Sequence, residues 1–333
     1  MNPLFHGAFV MSMRMMTTAV LGLGLMTATA LADDKPWTPQ SYGSDFGKVW
    51  YDGNAEMATY NLTYPRYNEL RTGTAVAITV TEPFNPEKRV KSDTGGKGTH
   101  NVVKLNLVED FQTGIYDYNL MTSVFVPTKP VNGLPAGSPT KVSFSMQEWC
   151  GHVYQQALFS QDKTRSPGVR ESINSYFETA ADQQNTMKHP VGGIAEDALM
   201  MWARGLAGPA LEPGESIEVP VYRSMALQRL LHVPATWENA TLSWQTDPQT
   251  VSTPAGDFEC DVFTAKVAGV RTYTFYVDRA DDGDRRLVKL ARSDGYGMEL
   301  TAVERLPYWQ LNGNADEKML KKIGLERRGE GTM

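Results

Sequence analysis

The sequence predicts a mainly β protein of the α+β kind, an antiparallel curved sheet or sheets with a few packed helices. Period-two alternation of apolar residues dominates residues 74–126 and 141–150, and short alternating segments split by turn residues fill 240–306. Helical period is confined to three stretches. The C-terminal segments follow one another too closely for the crossover helices of about a dozen residues that a parallel sheet requires.

Residues 1–32 differ in character from the remainder of the chain. Arg14 is their only charged side chain, the apolar run Met15 to Met26 comes next, and Ala30-Leu31-Ala32 precedes Asp33-Asp34. That order is the mark of a secretory signal peptide, and the run is shorter than the ~20 residues of a spanning helix. The expected protein is therefore cleaved before Asp33 and works in the periplasm or as a secreted protein, with no transmembrane segment in the mature chain.

Along residues 33–207, Val76, Ile78 and Val80 share one strand face. Val103, Leu105 and Leu107 repeat the pattern after the turn Gly95-Gly96-Lys97-Gly98, and Leu120, Thr122 and Val124 repeat it again. Val142, Phe144 and Met146 define another strand, with Glu148 and Cys150 on the same parity. Val169, Ile173, Tyr176, Phe177 and Ala180 fall at helical spacing and predict a helix over 167–184; Leu199, Trp202 and Leu206 predict a second over 195–206. The breaker-rich stretch 208–214 reads as a linker to a C-terminal half, 215–333, with one continuous curved sheet as the alternative. In that half, strands at 240–246, 258–267, 271–277, 287–291 and 298–306 form an antiparallel meander. A short terminal helix follows Asn314, with Met319, Leu320 and Ile323 as its apolar stripe.

Lys and Arg number 32 against 38 Asp and Glu, a net charge of -6, so no basic field exists for nucleic acid. The G-x-S-x-G, phosphate-loop, G-x-G-x-x-G, H-E-x-x-H and C-x-x-C signatures are absent, and no cofactor is implied. His100, His152, His189 and His232 are isolated from one another and imply no metal centre.

The densest group of reactive side-chain types is 147–154. Glu148 and His152 read as an acid/base pair, or Cys150 with His152 as nucleophile and base of a hydrolase. The competing reading is structural, with a bulge near Gly151 turning Glu148 toward solvent or an arginine. Cys260 lies between Phe258 and Val262 on an inward parity, as Cys150 does on a straight strand. In an oxidising compartment the two pair as a disulfide or stay as separate buried thiols. Tyr116, Tyr118, Tyr308 and Trp309 place rings at strand ends, where they line a ligand cavity or close the sheet core.

The stretches Arg66-Tyr-Asn-Glu-Leu-Arg71-Thr-Gly, Val103-Lys-Leu-Asn-Leu107, 113–125, Gln147-Glu-Trp-Cys-Gly-His152 and Arg229-Leu-Leu-His232 resemble uncharacterised exported bacterial proteins labelled septum formation inhibitor Maf. The resemblance covers most of the chain after residue 32. Nucleotide pyrophosphatases that carry the same label are cytoplasmic α/β proteins with an N-terminal S-x-R-R-type segment, and this sequence shows neither feature. From Ala255 to Trp309 the chain is also similar to the curved sheet of periplasmic lipoprotein-carrier-type domains, on strand spacing and the final Tyr308-Trp309. Neither resemblance supplies catalytic residues. The expected function is a non-enzymatic exported envelope protein that binds an apolar or amphiphilic ligand, such as a lipid, or an envelope partner. The alternative is a hydrolase using Glu148, Cys150 and His152.

Overall fold

In a computed structural model, which describes residues 37–164, 167–280 and 283–326, the alternating segments join edge to edge in one sheet. The signal peptide and cleavage point expected within residues 1–33 lie outside the described residues. The strands are β1 (Ala55–Arg66), β2 (Glu69–Asn85), β3 (Val90–Lys91), β4 (His100–Thr113), β5 (Tyr116–Pro127), β6 (Lys141–Glu148), β7 (Gly151–Ser160), β8 (Gly168–Ser175) and β9 (Gln183–Met187). They continue with β10 (Ile194–Ala195), β11 (Ser216–Tyr222), β12 (Trp237–Trp244), β13 (Gln249–Thr253), β14 (Gly256–Val267), β15 (Arg271–Asp278), β16 (Leu287–Arg292) and β17 (Gly297–Leu306).

Hydrogen-bonded neighbours run β9, β8, β7, β6, β5, β4, β2, β1, β17, β16, β15, β14, β12, β11, β10. β3 and β13 flank β2 and β14, and only β10 with β11 is parallel. β1 and β17 pair in mid-series, from Ala55↔Leu306 to Thr63↔Gly297, so the first and last strands hold each other. The sheet is continuous across 208–214: Gly208 N–H donates to Gly137 O and Ala210 N–H to Thr38 O, tying that stretch to the first half of the chain.

The sheet curls until its two ends face each other. Phe159 of β7 meets Tyr222 of β11 edge-on at 5.4 Å and Trp237 of β12 at 6.4 Å. Strand β9 and strands β10–β11 form no ladder with each other among the described residues, which leaves a seam. Inside the curl, a 3-10 turn (Glu196–Ala198) touches β5 and runs into α2 (Leu199–Ala203), which touches β15. Helix α1 (Ser44–Trp50) precedes the sheet, and α3 (Met225–Leu231) leads from β11 toward β6. Trp202 stands edge-on to Phe263 and Phe275 at 5.7 and 6.3 Å.

Val103, Leu105, Leu120, Val124, Val142, Phe144 and Met146 enter the main core, as the alternation predicts. On β2 the core face is Ala75 and Ala77; Val76 and Ile78 face the other way, beneath the terminal 3-10 run Asn314–Ile323, with Met57 and Leu306. The helix expected over 195–206 is shorter, ending at Ala203.

The helix expected over 167–184 is instead β8, a 3-10 turn (Glu178–Ala180) and β9. Val169 and Ile173 are four residues apart, a spacing that helix and strand share, and the intervening inward position is Glu171. The strand carrying Val142 also ends earlier than expected, at Glu148. Trp149 and Cys150 form the hairpin turn into β7, with Glu148 opposite Gly151, so the inward parity does not extend to Cys150.

Candidate functional site

Antiparallel pairing brings Arg66↔Glu69, Thr113↔Tyr116, Glu148↔Gly151, Val153↔Ser175, Val267↔Arg271 and Tyr222↔Trp237 to one rim of the curled sheet. This rim exposes large apolar side chains at its tips: Tyr67, Ile115, Trp149, Tyr176, Leu231 and Val270. Isolated exposed hydrophobes are ordinary, whereas these six recur along a single rim. Four of the five stretches that carry the sequence resemblance meet here, namely those at 66, 113, 147 and 229.

Arg66 organises the rim. Its Nε and Nη2 donate to the Tyr118 hydroxyl at 3.3 and 3.1 Å, Nη1 donates to Leu230 O at 3.3 Å, and the guanidinium lies 4.1 Å from the Tyr67 ring centre. Tyr67 and Asn68 both take left-handed backbone, φ 56° and 60°, the conformation of a two-residue hairpin turn. The Tyr67 and Tyr118 hydroxyls share a hydrogen bond of 2.8 Å. Burial works against ionisation of Tyr67, yet hydrogen bonds with Tyr116 and Tyr118 and the Arg66 charge hold its phenol below the usual value. Trp149 Nε1 donates to Asp117 Oδ1 at 3.0 Å, and its ring lies 6.3 Å from Tyr116.

The two aromatic clusters, read as lining a ligand cavity or closing the sheet core, lie at opposite rims. Tyr116 is half-buried at the rim and Tyr118 is fully buried, stacked on Phe111 at 5.0 Å. Tyr308 and Trp309 follow the far end of β17, at the opposite rim, where Tyr308 borders a cavity of about 320 Å³ under the terminal 3-10 run.

Glu148, Cys150 and His152 do not line the cavity under the terminal 3-10 run or the larger one at the seam. Glu148 Oε2 accepts the Cys150 N–H at 3.3 Å, and both Cys150 and His152 are exposed. Hydrogen bonding to Glu148, and then that carboxylate's charge, pushes the Cys150 thiol up, the reverse of what a nucleophile needs. Cys150 and Cys260, read as a disulfide or as two separate buried thiols, are both free thiols in the structure, Cys150 exposed and Cys260 buried. Cys150 sits in a rim turn, whereas Cys260 lies buried with Val251 and Val288 toward the other end of β14, beyond the roughly 7 Å Cα separation that a disulfide spans. Burial, followed by Asp278 and Asp261, pushes the Cys260 thiol up to about 12.

The seam itself holds a cavity of about 580 Å³, walled by β8 and β9 on one side and by α3 with residues 232–235 on the other. Its polar lining includes Gln155, Glu171, Asn185, Gln228, Arg229 and His232. Glu171 is spent on partners, accepting from the Tyr222 hydroxyl at 2.8 Å and Asn185 Nδ2 at 3.1 Å. His232 ends α3 in left-handed backbone with Nδ1 3.3 Å from Thr179 Oγ1. Burial and the charges of Arg229 and Arg66 hold the His232 imidazole below its usual pKa. Gln155 Oε1 and Arg229 Nε and Nη1 are buried with no hydrogen-bond partner among the described residues. The sequence reached Arg229 only as part of a resemblance, reached His232 there and as an isolated histidine that implies no metal centre, and did not single out Gln155 or Glu171. The available signal was inward parity on β7 and β8, which places both polar residues on the core face.

No known family model, curated protein or solved structure matches the chain.

Proposed function

We propose that this chain is a non-enzymatic exported envelope protein that holds an amphiphilic ligand in the seam cavity. The observation that carries this reading is a cavity of about 580 Å³ at the unclosed seam, with buried polar atoms in its wall that find no partner among the described residues. A cavity of that size suits a small organic ligand. Amphiphilic character is supported by the mixed wall, where Arg229 and Gln155 adjoin Ile173, Met187 and Val233, and by the exposed apolar rim beside it. Export rests on the composition of residues 1–32. Against the hydrolase alternative, hydrogen bonding to Glu148 pushes the Cys150 thiol up, and Glu148, Cys150 and His152 lie outside the seam cavity.

Titration with 8-anilinonaphthalene-1-sulfonate, an anionic amphiphile that fluoresces when sheltered from water, tests the reading. One saturable site is expected in the wild type, lost in Ala235→Trp, whose indole fills the cavity. Equal binding by both proteins removes the seam cavity as the site.

A further inference from the structure

Three arginines are buried among the described residues: Arg89, Arg204 and Arg229. Two are saturated with acceptors. Arg89 Nη1 donates to Thr140 O, Thr140 Oγ1 and Phe159 O at 2.7, 2.6 and 2.9 Å, and Arg204 grips both oxygens of Glu56 at 2.7 Å. Arg229 differs. It is 3% exposed, its Nε and Nη1 have no acceptor among the described residues, and the Phe177 ring centre lies 4.0 Å from the guanidinium carbon. An ionised group buried without an acceptor is costly, and arginine does not escape the cost by losing its proton.

The charges around it do not repay that cost. Arg66 repels it, and both arginines hold His232 toward its neutral form. Glu148 attracts it from outside the cavity, and Glu171, the carboxylate in the wall, already accepts from Tyr222 and Asn185. Arg229 therefore lines a solvent-connected cavity with two guanidinium donors that find no acceptor among the described residues.

We infer that the seam cavity binds its ligand through an oxyanion head group, carboxylate or phosphate, received by Arg229. This rests on the reading of the cavity as a ligand site and adds the chemistry of the head. Guanidinium donors match carboxylate and phosphate oxygens, and the charge-assisted bonds formed there are shielded from water. Gln155 Oε1, on the same cavity wall, accepts from a hydroxyl of the ligand. The amphiphile is thus an acid, and a neutral one of equal chain length binds poorly.

The test measures binding of dodecanoate, dodecyl phosphate and neutral dodecyl maltoside to the full mature chain by calorimetry, below their micellar concentrations. Wild type is expected to bind at least one anionic probe ten-fold or more tightly than the maltoside, and the better of the two acids identifies the head group. Arg229→Gln is expected to erase that preference, bringing both anionic probes to within two-fold of the maltoside. Equal affinity of the wild type for all three probes, or an anion preference that survives in Arg229→Gln, overturns the inference and leaves the ligand-site reading standing. Failure of every probe to bind the wild type overturns both. The wild-type comparison decides the matter even if the variant does not fold.

Discussion

The Tyr222 hydroxyl donates to Glu171 Oε1 at 2.8 Å, and this bond joins β11 to β8 across a seam that no backbone ladder closes. Both residues are buried, so neither has water as a substitute partner. Tyr222→Phe keeps the ring that packs on Phe159 and removes only the donor. The expected cost is about 1–3 kcal/mol in urea unfolding, with faster amide exchange in β8 and β9 than in β4 or β5. A change below about 0.5 kcal/mol means the seam is held by packing alone.

A second buried bond fixes the inner segment to the first strand. Arg204, which directly follows α2, pairs with Glu56 of β1 through two hydrogen bonds of 2.7 Å, and its remaining donors reach Arg285 O and Asp284 O. Glu56→Ala leaves that guanidinium without its carboxylate and is expected to cost about 3–5 kcal/mol. Replacing both residues together, as Glu56→Leu with Arg204→Met, is expected to cost less than the single change, which thermal unfolding of the two proteins checks.

Stability is expected to fall as pH rises from about 4.5 to about 7. Glu109 lies in the core, donated to by the Tyr296 hydroxyl at 2.8 Å, and burial pushes its carboxyl up to about 7. Burial also raises Asp197 to about 6 and Asp284 to about 7. A carboxyl whose folded pKa is raised binds its proton more tightly when folded. Its contribution is complete below the unfolded value and lost as pH rises through the folded one. For Glu109 alone the loss is on the order of 3 kcal/mol. Glu109→Gln keeps an acceptor for Tyr296 and is expected to flatten part of the slope, gaining on the wild type above pH 7. An unchanged slope in denaturant melts at pH 5, 6, 7 and 8 contradicts the assignment.

The thiols make a separate test. Native protein is expected to react with one equivalent of a disulfide reagent, at exposed Cys150, and unfolded, unreduced protein with two. Glu148→Gln is expected to speed the native reaction near pH 8, because it removes the hydrogen bond and charge that raise the thiol. No reactive thiol in the unfolded chain restores the disulfide.

The strands most legible in the sequence are those with an unbroken run of apolar inward positions, such as β6 with Val142, Phe144 and Met146. Three of the strands that escaped alternation carry a buried charged or amide side chain: Glu56 on β1, Gln155 on β7 and Glu171 on β8. Each breaks the pattern locally, and Glu56 and Glu171 find partners more than fifty residues away, in Arg204 and Tyr222. No local spacing encodes such a contact. The same residues position the inner segment and the seam, so the candidate site was hidden by the chemistry that builds it. Glu148, Cys150 and His152 were conspicuous because they are close in sequence, yet a tight hairpin turn sends them to the exposed rim.

The most direct measurement is native mass spectrometry of the protein isolated from its own compartment, compared with Ala235→Trp prepared in parallel. The wild type is expected to carry a discrete non-covalent increment that is released on unfolding, and the cavity-filled protein to fly at its bare mass. A bare wild type, or the same increment on both proteins, contradicts a ligand held in the seam.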